Sequence, residues 1–327
     1  MSSSTLPQTA VRRWQAPLAV ALGAWCVSQF FPLVSPLILA LALGAAVANS
    51  RLAKARLFDG CASAAKFMLR LGVALLGLRL ALSDIAQLGL FGLLLIVATV
   101  ASTFYLTRWV GRRMQLEQEL VSLLASGFAV CGAAAIAAVQ DSAKAKEKNV
   151  GLALALVTIH GTVMLAAIPL LGDLLGFDER TTALWAGASI HEVAQVAAAA
   201  ALIGPGALAI AMSIKLGRVL MLAPVHHAVA RSHHAGGGFS LREVPWFLTA
   251  FIGAVALRAT GILPPVALDL ASDASSILLA AGMFGLGLGI AVRDLWPVPA
   301  RAVTLSLVAT ATVTLVPLAL LVVNKAL

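Results

Sequence analysis

The sequence predicts an all-α polytopic membrane protein of about eleven membrane elements, with inverted repeats and two discontinuous or re-entrant helices. Three observations carry this. The 327 residues are 61% hydrophobic and only 11% charged, with a mean hydropathy of +0.97, against roughly 25% charged in a soluble domain. Apolar runs long enough to cross a hydrocarbon core of about 30 Å recur along the chain. Within one of them sits a polar cluster, Gly187-Ala-Ser-Ile-His-Glu-Val-Ala-Gln-Val196. β-barrel strands would alternate in polarity, and nothing here alternates.

Residues 1–15 read as a short cytoplasmic tail, because Arg12 and Arg13 precede a long apolar run that lacks a cleavage-site pattern. Residues 16–323 read as one transmembrane domain, and 324–327 as a short C-terminal tail. The apolar elements fall at 16–31, 34–49, 64–82, 88–107, 119–139, 150–171, 182–203, 206–226, 245–260, 274–292 and 302–323. The longest loop, 227–244, contains His233, His234 and Gly236 to Gly238 and reads as a solvated linker rather than a metal-binding tract. Cys26, Cys61 and Cys131 show no pairing or metal-ligand pattern. The net charge of +9 sits mainly in short loops, as membrane topology requires, so it does not imply a nucleic-acid partner.

Loop charge orients the elements. Arg12 and Arg13, then Arg51, Lys54 and Arg56, then Arg108, Arg112 and Arg113 fall on one side by simple counting, and the positive-inside rule makes that side cytoplasmic. Counting then places the basic loop Asp141 to Lys148 outside and the acidic loop Asp173 to Arg180 inside, both against the rule. Re-entrant or mid-membrane-broken elements at 119–139 and 182–203 remove both conflicts. The composition suits a break in each. Ser126-Gly127-Phe-Ala-Val-Cys131-Gly132-Ala133 and Gly187-Ala-Ser189-Ile-His191-Glu192 combine glycine with small or polar side chains, and irregular backbone at membrane depth needs protein or a water-filled cavity around it.

The two broken elements also resemble each other. Gly127–Val139 lies over Gly187–Ala199, and Gly151–Pro169 over Gly206–Pro224. A second echo pairs Leu76–Ile85 with Leu286–Leu295. Under the re-entrant assignment the copies are inverted, an architecture that in secondary transporters places the site near the midplane between halves.

The candidate chemistry follows from the polar residues. Intramembrane ionisable groups mark ion or substrate pathways, so Glu192, with His191, is the candidate carrier of a coupling ion. Ser189, His191 and Gln195 on one element, and Ser126, Gly127, Cys131 and Gly132 on the other, are candidate substrate contacts. A helix end exposed at a break attracts anions. Lys215 and Arg218 share a face deep in an apolar span and are expected to line a cavity that attracts an anion, with Arg79 as a further candidate. His191-Glu-Val-Ala-Gln195 falls one residue short of the zinc-protease motif His-Glu-x-x-His. His160 is a distant spare ligand with no evident third, so neither a metal site nor an enzyme is expected.

These residues carry a family resemblance. Ser126–Val139, Lys144–Glu147, Trp185–Val196 and Lys215–Pro224 resemble a bacterial membrane-protein family named for sulfate export, and the likeness runs from about residue 16 to 323. The family is similar in layout to bile acid/sodium symporters and sodium/proton antiporters, where two discontinuous helices meet at the binding site. The resemblance implies a secondary transporter of inorganic or sulfonated anions in the bacterial inner membrane. Its expected partners are the bilayer, a small anion and a coupling H+ or Na+, with a homodimer as a candidate assembly and no cofactor. An anion channel is the alternative. One departure is visible: a Ser-Ile-Cys-Gly-Gly-like sequence is expected at the first break, whereas Ala129-Val-Cys-Gly-Ala-Ala134 lacks the hydroxyl donors.

Overall fold

A computed structural model describes residues 6–31, 35–54, 58, 60–233, 245–290 and 298–326. In chain order its helices are α1 (Leu6–Phe30), α2 (Pro36–Ala48), α3 (Cys61–Leu76), α4 (Leu82–Gln87), α5 (Gly89–Arg113), α6 (Gln118–Ala129), α7 (Ala133–Val139), α8 (Glu147–Leu174), α9 (Glu179–Ser189), α10 (Val193–Ile203), α11 (Ala207–Leu220), α12 (Leu222–His233), α13 (Trp246–Ala259), α14 (Pro265–Leu288) and α15 (Ala300–Ala326). Among the described residues, five stretches are long and apolar enough to cross a membrane: α5, α8, α11 running on through α12, α14, and Ala300–Asn324 of α15. Shorter apolar helices, α2, α10 and α13, accompany them.

Several boundaries differ from expectation. α14 begins at Pro265, nine residues before 274, because Asp269 and Asp273 depress the local hydropathy without breaking the helix. Residues 227–233, assigned to a linker, are helical as the end of α12. His233 Nε2 lies 2.9 Å from Ser122 Oγ, so this histidine packs on α6. The remainder of the expected linker, 234–244 with His234 and Gly236 to Gly238, lies outside the described residues, as do Arg293 to Leu295 of the second repeat.

The chain divides into two compact units, 1–79 with 246–297, and 80–245 with 298–327. In the first, α14 packs on α2 and α3 through small residues. A Cβ added to Gly44 would lie 3.0 Å from Gly287 Cα, and one on Gly72 would lie 2.9 Å from Leu279 Cγ. Close backbone approach of this kind is how helices associate where no hydrophobic drive separates them from lipid. Ser275 Oγ donates to Gly72 O at 2.8 Å, and Asn49 Nδ2 donates to Ile290 O at 2.7 Å. Arg79, in the short turn after α3, donates to Ser276 Oγ at 3.5 Å.

The second unit is built around two helical hairpins. α6 stops at Ala129 and α7 starts at Ala133. α7 folds back on α6, since a Cβ on Gly127 would lie 2.8 Å from Ile136 Cδ1. The hairpin closes at its mouth, where Asn149 Nδ2 donates to Glu117 (2.7 Å) and Glu119 (2.5 Å) and Lys146 Nζ lies 3.3 Å from Glu117. The start of α6 and the start of α8 therefore share one end of the unit. The second hairpin, α9–α10, does the same at its own mouth. Glu179 Oε1, at the start of α9, accepts the N–H of Gly206, at the start of α11, at 2.5 Å. The 28-residue α8 runs between the two mouths, and its Gly172 packs against Thr182 of α9. The hairpins are thus entered from opposite ends of the unit, and their tips point toward each other.

Apolar packing holds the second hairpin. Trp185, Ile190 and Val196 join Leu95 and Ile96 of α5, Met164 and Ile168 of α8 and Ile214 of α11 in one buried cluster. Trp185 Nε1 donates to Thr314 O of α15 at 3.0 Å.

Candidate functional site

Each tip exposes backbone that a continuous helix would satisfy internally. The first break, Val130 to Gly132, lies within the predicted stretch. Gly132 has φ +72° and ψ −128°, a conformation that glycine tolerates and side chains do not. The second break, Ile190 to Glu192, lies just past Gly187–Ser189, with Ile190 and Glu192 extended. Gly187 instead serves packing, because its Cα faces the backbone oxygen of Ala211 on α11 and leaves no room for a Cβ.

Lys215 and Arg218 join the two tips. Lys215 lies eight residues (207 to 215) into α11, about 12 Å along it, and is fully buried with Arg218. Lys215 Nζ donates to Val130 O of one tip at 2.9 Å, to Ile190 O of the other at 2.9 Å, and to His191 O. Arg218 donates to Phe128 O (2.9 Å) and Ala129 O (3.0 Å) at the end of α6. It also donates to Ala188 O (2.6 Å) and Ile190 O (3.1 Å) at the end of α9. The donors that the sequence offered to an anion are thus occupied by carbonyls. A lysine has three N–H donors and an arginine five, and helix C-termini carry partial negative charge, so the cations cap two helix ends at once.

The other polar groups of the tips are only partly satisfied. Ser126 Oγ and Ser189 Oγ are buried without a hydrogen-bond partner, while the buried Glu192 side chain accepts the Gln195 backbone N–H in a capping box at the start of α10. Buried polar groups are hydrogen-bonded in the great majority of cases, so two open hydroxyls beside a buried histidine and carboxylate mark the tips as a candidate site. Glu192 is 2% exposed. It packs on Gly132, where a Cβ would lie 2.8 Å from Glu192 Cγ and 3.4 Å from its Oε1. His191 meets the Phe128 ring edge-on at 4.6 Å, and Phe128 meets His160 of α8 at 5.5 Å. Cys131 is free and buried beside them.

Gln195 is committed locally. Its Oε1 accepts the Glu192 N–H at 3.2 Å, its Nε2 donates to Thr162 Oγ1 at 3.4 Å, and its side chain lies directly against Gly161 of α8. Gly161 and Thr162 were not singled out in the sequence, where the visible signal is a glycine inside an apolar helix. The structure brings together Ser126, Gly127, Cys131, Gly132, Ser189, His191, Glu192, Gln195, Lys215 and Arg218. Arg79 belongs to the other unit. Among the described residues no group of three or more His, Cys, Asp and Glu is placed to share a metal ion. His160 is hydrogen-bonded instead to Ser306 (3.1 Å) and Thr310 (2.8 Å) of α15.

Outside the membrane-crossing helices, the first mouth is an electrostatic clasp. The Asn149 amide, ahead of contacts with Glu119 and Lys146, holds the Glu117 carboxyl down at about 2, while Glu117 raises the Lys146 ammonium.

Long apolar helices, two hairpins broken inside a buried shell and ionisable groups at their tips define a multi-pass α-helical membrane protein. Residues 15–306 match the model of the family described as conserved hypothetical protein 698, and the chain belongs to that family. A UPF0324 membrane protein of Corynebacterium glutamicum is 39% identical over 304 residues, covering 91% of this chain and 88% of its own. A UPF0324 membrane protein of Pseudomonas aeruginosa is 35% identical over 276 residues, 78% and 77% of the two chains. The UPF0324 inner membrane protein YeiH of Salmonella typhi is 32% identical over 309 residues, 91% and 86%. No solved structure matches.

Proposed function

We propose that the protein is a secondary transporter of a small anion, sulfate or a sulfonate, coupled to H+ or Na+ across the bacterial inner membrane. The observation that carries this is the pair of opposed hairpin tips, braced by Lys215 and Arg218, with Ser126, Ser189, His191 and Glu192 buried at them and both serine hydroxyls unpartnered. The N–H donors of Lys215 and Arg218 are taken by carbonyls, so what supports an anion here is only their net charge, two cations to one carboxylate. The hydroxyls of Ser126 and Ser189 and a His191 N–H supply donors. Glu192 is the acceptor for a coupling ion.

In this reading the hairpins are inverted copies that enter from opposite membrane faces, among about eleven elements. The mouth carrying Lys144, Lys146 and Lys148 is cytoplasmic, and the mouth carrying Asp173, Asp178 and Glu179 is external, in accord with the positive-inside rule. Sulfate efflux from loaded proteoliposomes tests the assignment. The wild-type protein should show saturable counterflow, and Glu192→Gln should lower flux about tenfold or more. Wild-type rates in that variant would remove Glu192 from the mechanism.

A further inference from the structure

The oxygens gathered by Lys215 come from two separate chain segments. Val130 O belongs to the first break, and Ile190 O and His191 O to the second. The C-terminal ends of α6 and α9 point at the same place, so the partial negative ends of two helices add there. Unwound carbonyls and half-helix C-termini are the groups from which broken helices build alkali-cation sites in membranes. We infer that this convergence is a monovalent-cation cradle whose resident ion is the tethered ammonium of Lys215, so that the protein works without sodium.

This deepens the proposed transport site, on which it rests for the notion of a coupling ion. The neighbouring carbonyls are occupied as well, since Arg218 takes those of Phe128, Ala129, Gly187 and Ala188. A sodium ion would have to displace a group fixed to α11. The Glu192 carboxylate, held by a backbone N–H rather than by a cation, keeps acceptor capacity for exchange, so the mobile coupling ion is a proton. The charged and titratable groups around it are Lys215 on α11, Cys131 at the opposite tip, and its neighbour His191, which Arg218 of α11 and His160 of α8 face in turn.

Thermal unfolding of the purified full chain in detergent, in NaCl, KCl and choline chloride at equal ionic strength, tests the cradle. The wild type should have the same Tm in all three, and a sodium-specific rise would overturn the inference. Lys215→Ala vacates the cradle and should gain a sodium-specific rise of about 2–4 °C. A folded Lys215→Ala indifferent to the cation would overturn it too. Lys215→Ser repeats the measurement if the alanine variant does not fold, and the wild-type arm decides alone if neither does. Sulfate flux plays no part in this readout, so failure of the transport assignment and failure of the cradle are separable.

Discussion

Glu192 and Gly132 show how two residues from separate breaks depend on each other. Gly132 holds φ +72°, and its Cα faces the Glu192 side chain. Gly132→Ala meets both a disfavoured backbone and an occupied space, and should destabilise the protein by about 1–3 kcal/mol, read as a lower Tm in detergent. Glu192→Gln keeps the shape of the side chain and removes its charge. Glu192 caps α10 by accepting a backbone N–H, which a glutamine amide oxygen also accepts, so this variant should unfold near the wild-type temperature while losing coupled flux. A large drop in its Tm would mark Glu192 as a structural group. The sequence revealed His191, Glu192 and Gln195 as a cluster because polar residues stand out in an apolar run. It could not show that Gln195 faces Gly161 and Thr162, because that pairing joins positions more than thirty residues apart and depends on which way α8 turns its face.

The hairpins decide what each helix needs. α6, α7, α9 and α10 are 7 to 12 residues long, too short to cross a bilayer that takes roughly 20, and each leaves carbonyl or amide groups unsatisfied at depth. Arg218 answers this need for the ends of α6 and α9. Arg218→Met should therefore destabilise both hairpins together, at about 1–3 kcal/mol for each carbonyl left unpaired, and show as lost protection in hydrogen exchange at both tips. Protection lost at one tip only would break the link between them. The breaks themselves were legible from loop charge and glycine content, and both fall within the marked stretches, the second at the C-terminal end of its own. The destination of the two cations was not legible, because a buried lysine that caps helix ends and one that lines a cavity look the same in sequence.

For the whole molecule, sidedness is the testable property. Cysteines introduced at 144 and 178 should be labelled from opposite faces of the membrane, the first from the cytoplasm; labelling of both from one face would contradict the two mouths. The clasp at the first mouth also has a defined pH range. Glu117 is held down at about 2 against an unperturbed value near 4.3, so its contribution is complete above pH 4.3 and is lost as the pH falls toward 2. Proteolysis within 140–146 should stay slow through neutral and mildly acidic pH and accelerate only below that range. The all-helical, apolar character of the chain was readable from composition. α14 was read short because composition averages over Asp269 and Asp273, whereas a helix needs only its backbone satisfied.

The shared cap on the two hairpins bears on how the chain is made. Lys215 and Arg218 emerge from the ribosome after both tips that depend on them, so neither hairpin can settle when it is first synthesised. Assembly is deferred until α11 arrives. Nascent chains halted before 207 should leave the Cys131 thiol open to maleimide, while chains extended past 233 should close it. Protection of Cys131 in the shorter chains would mean that the first hairpin stands without its brace.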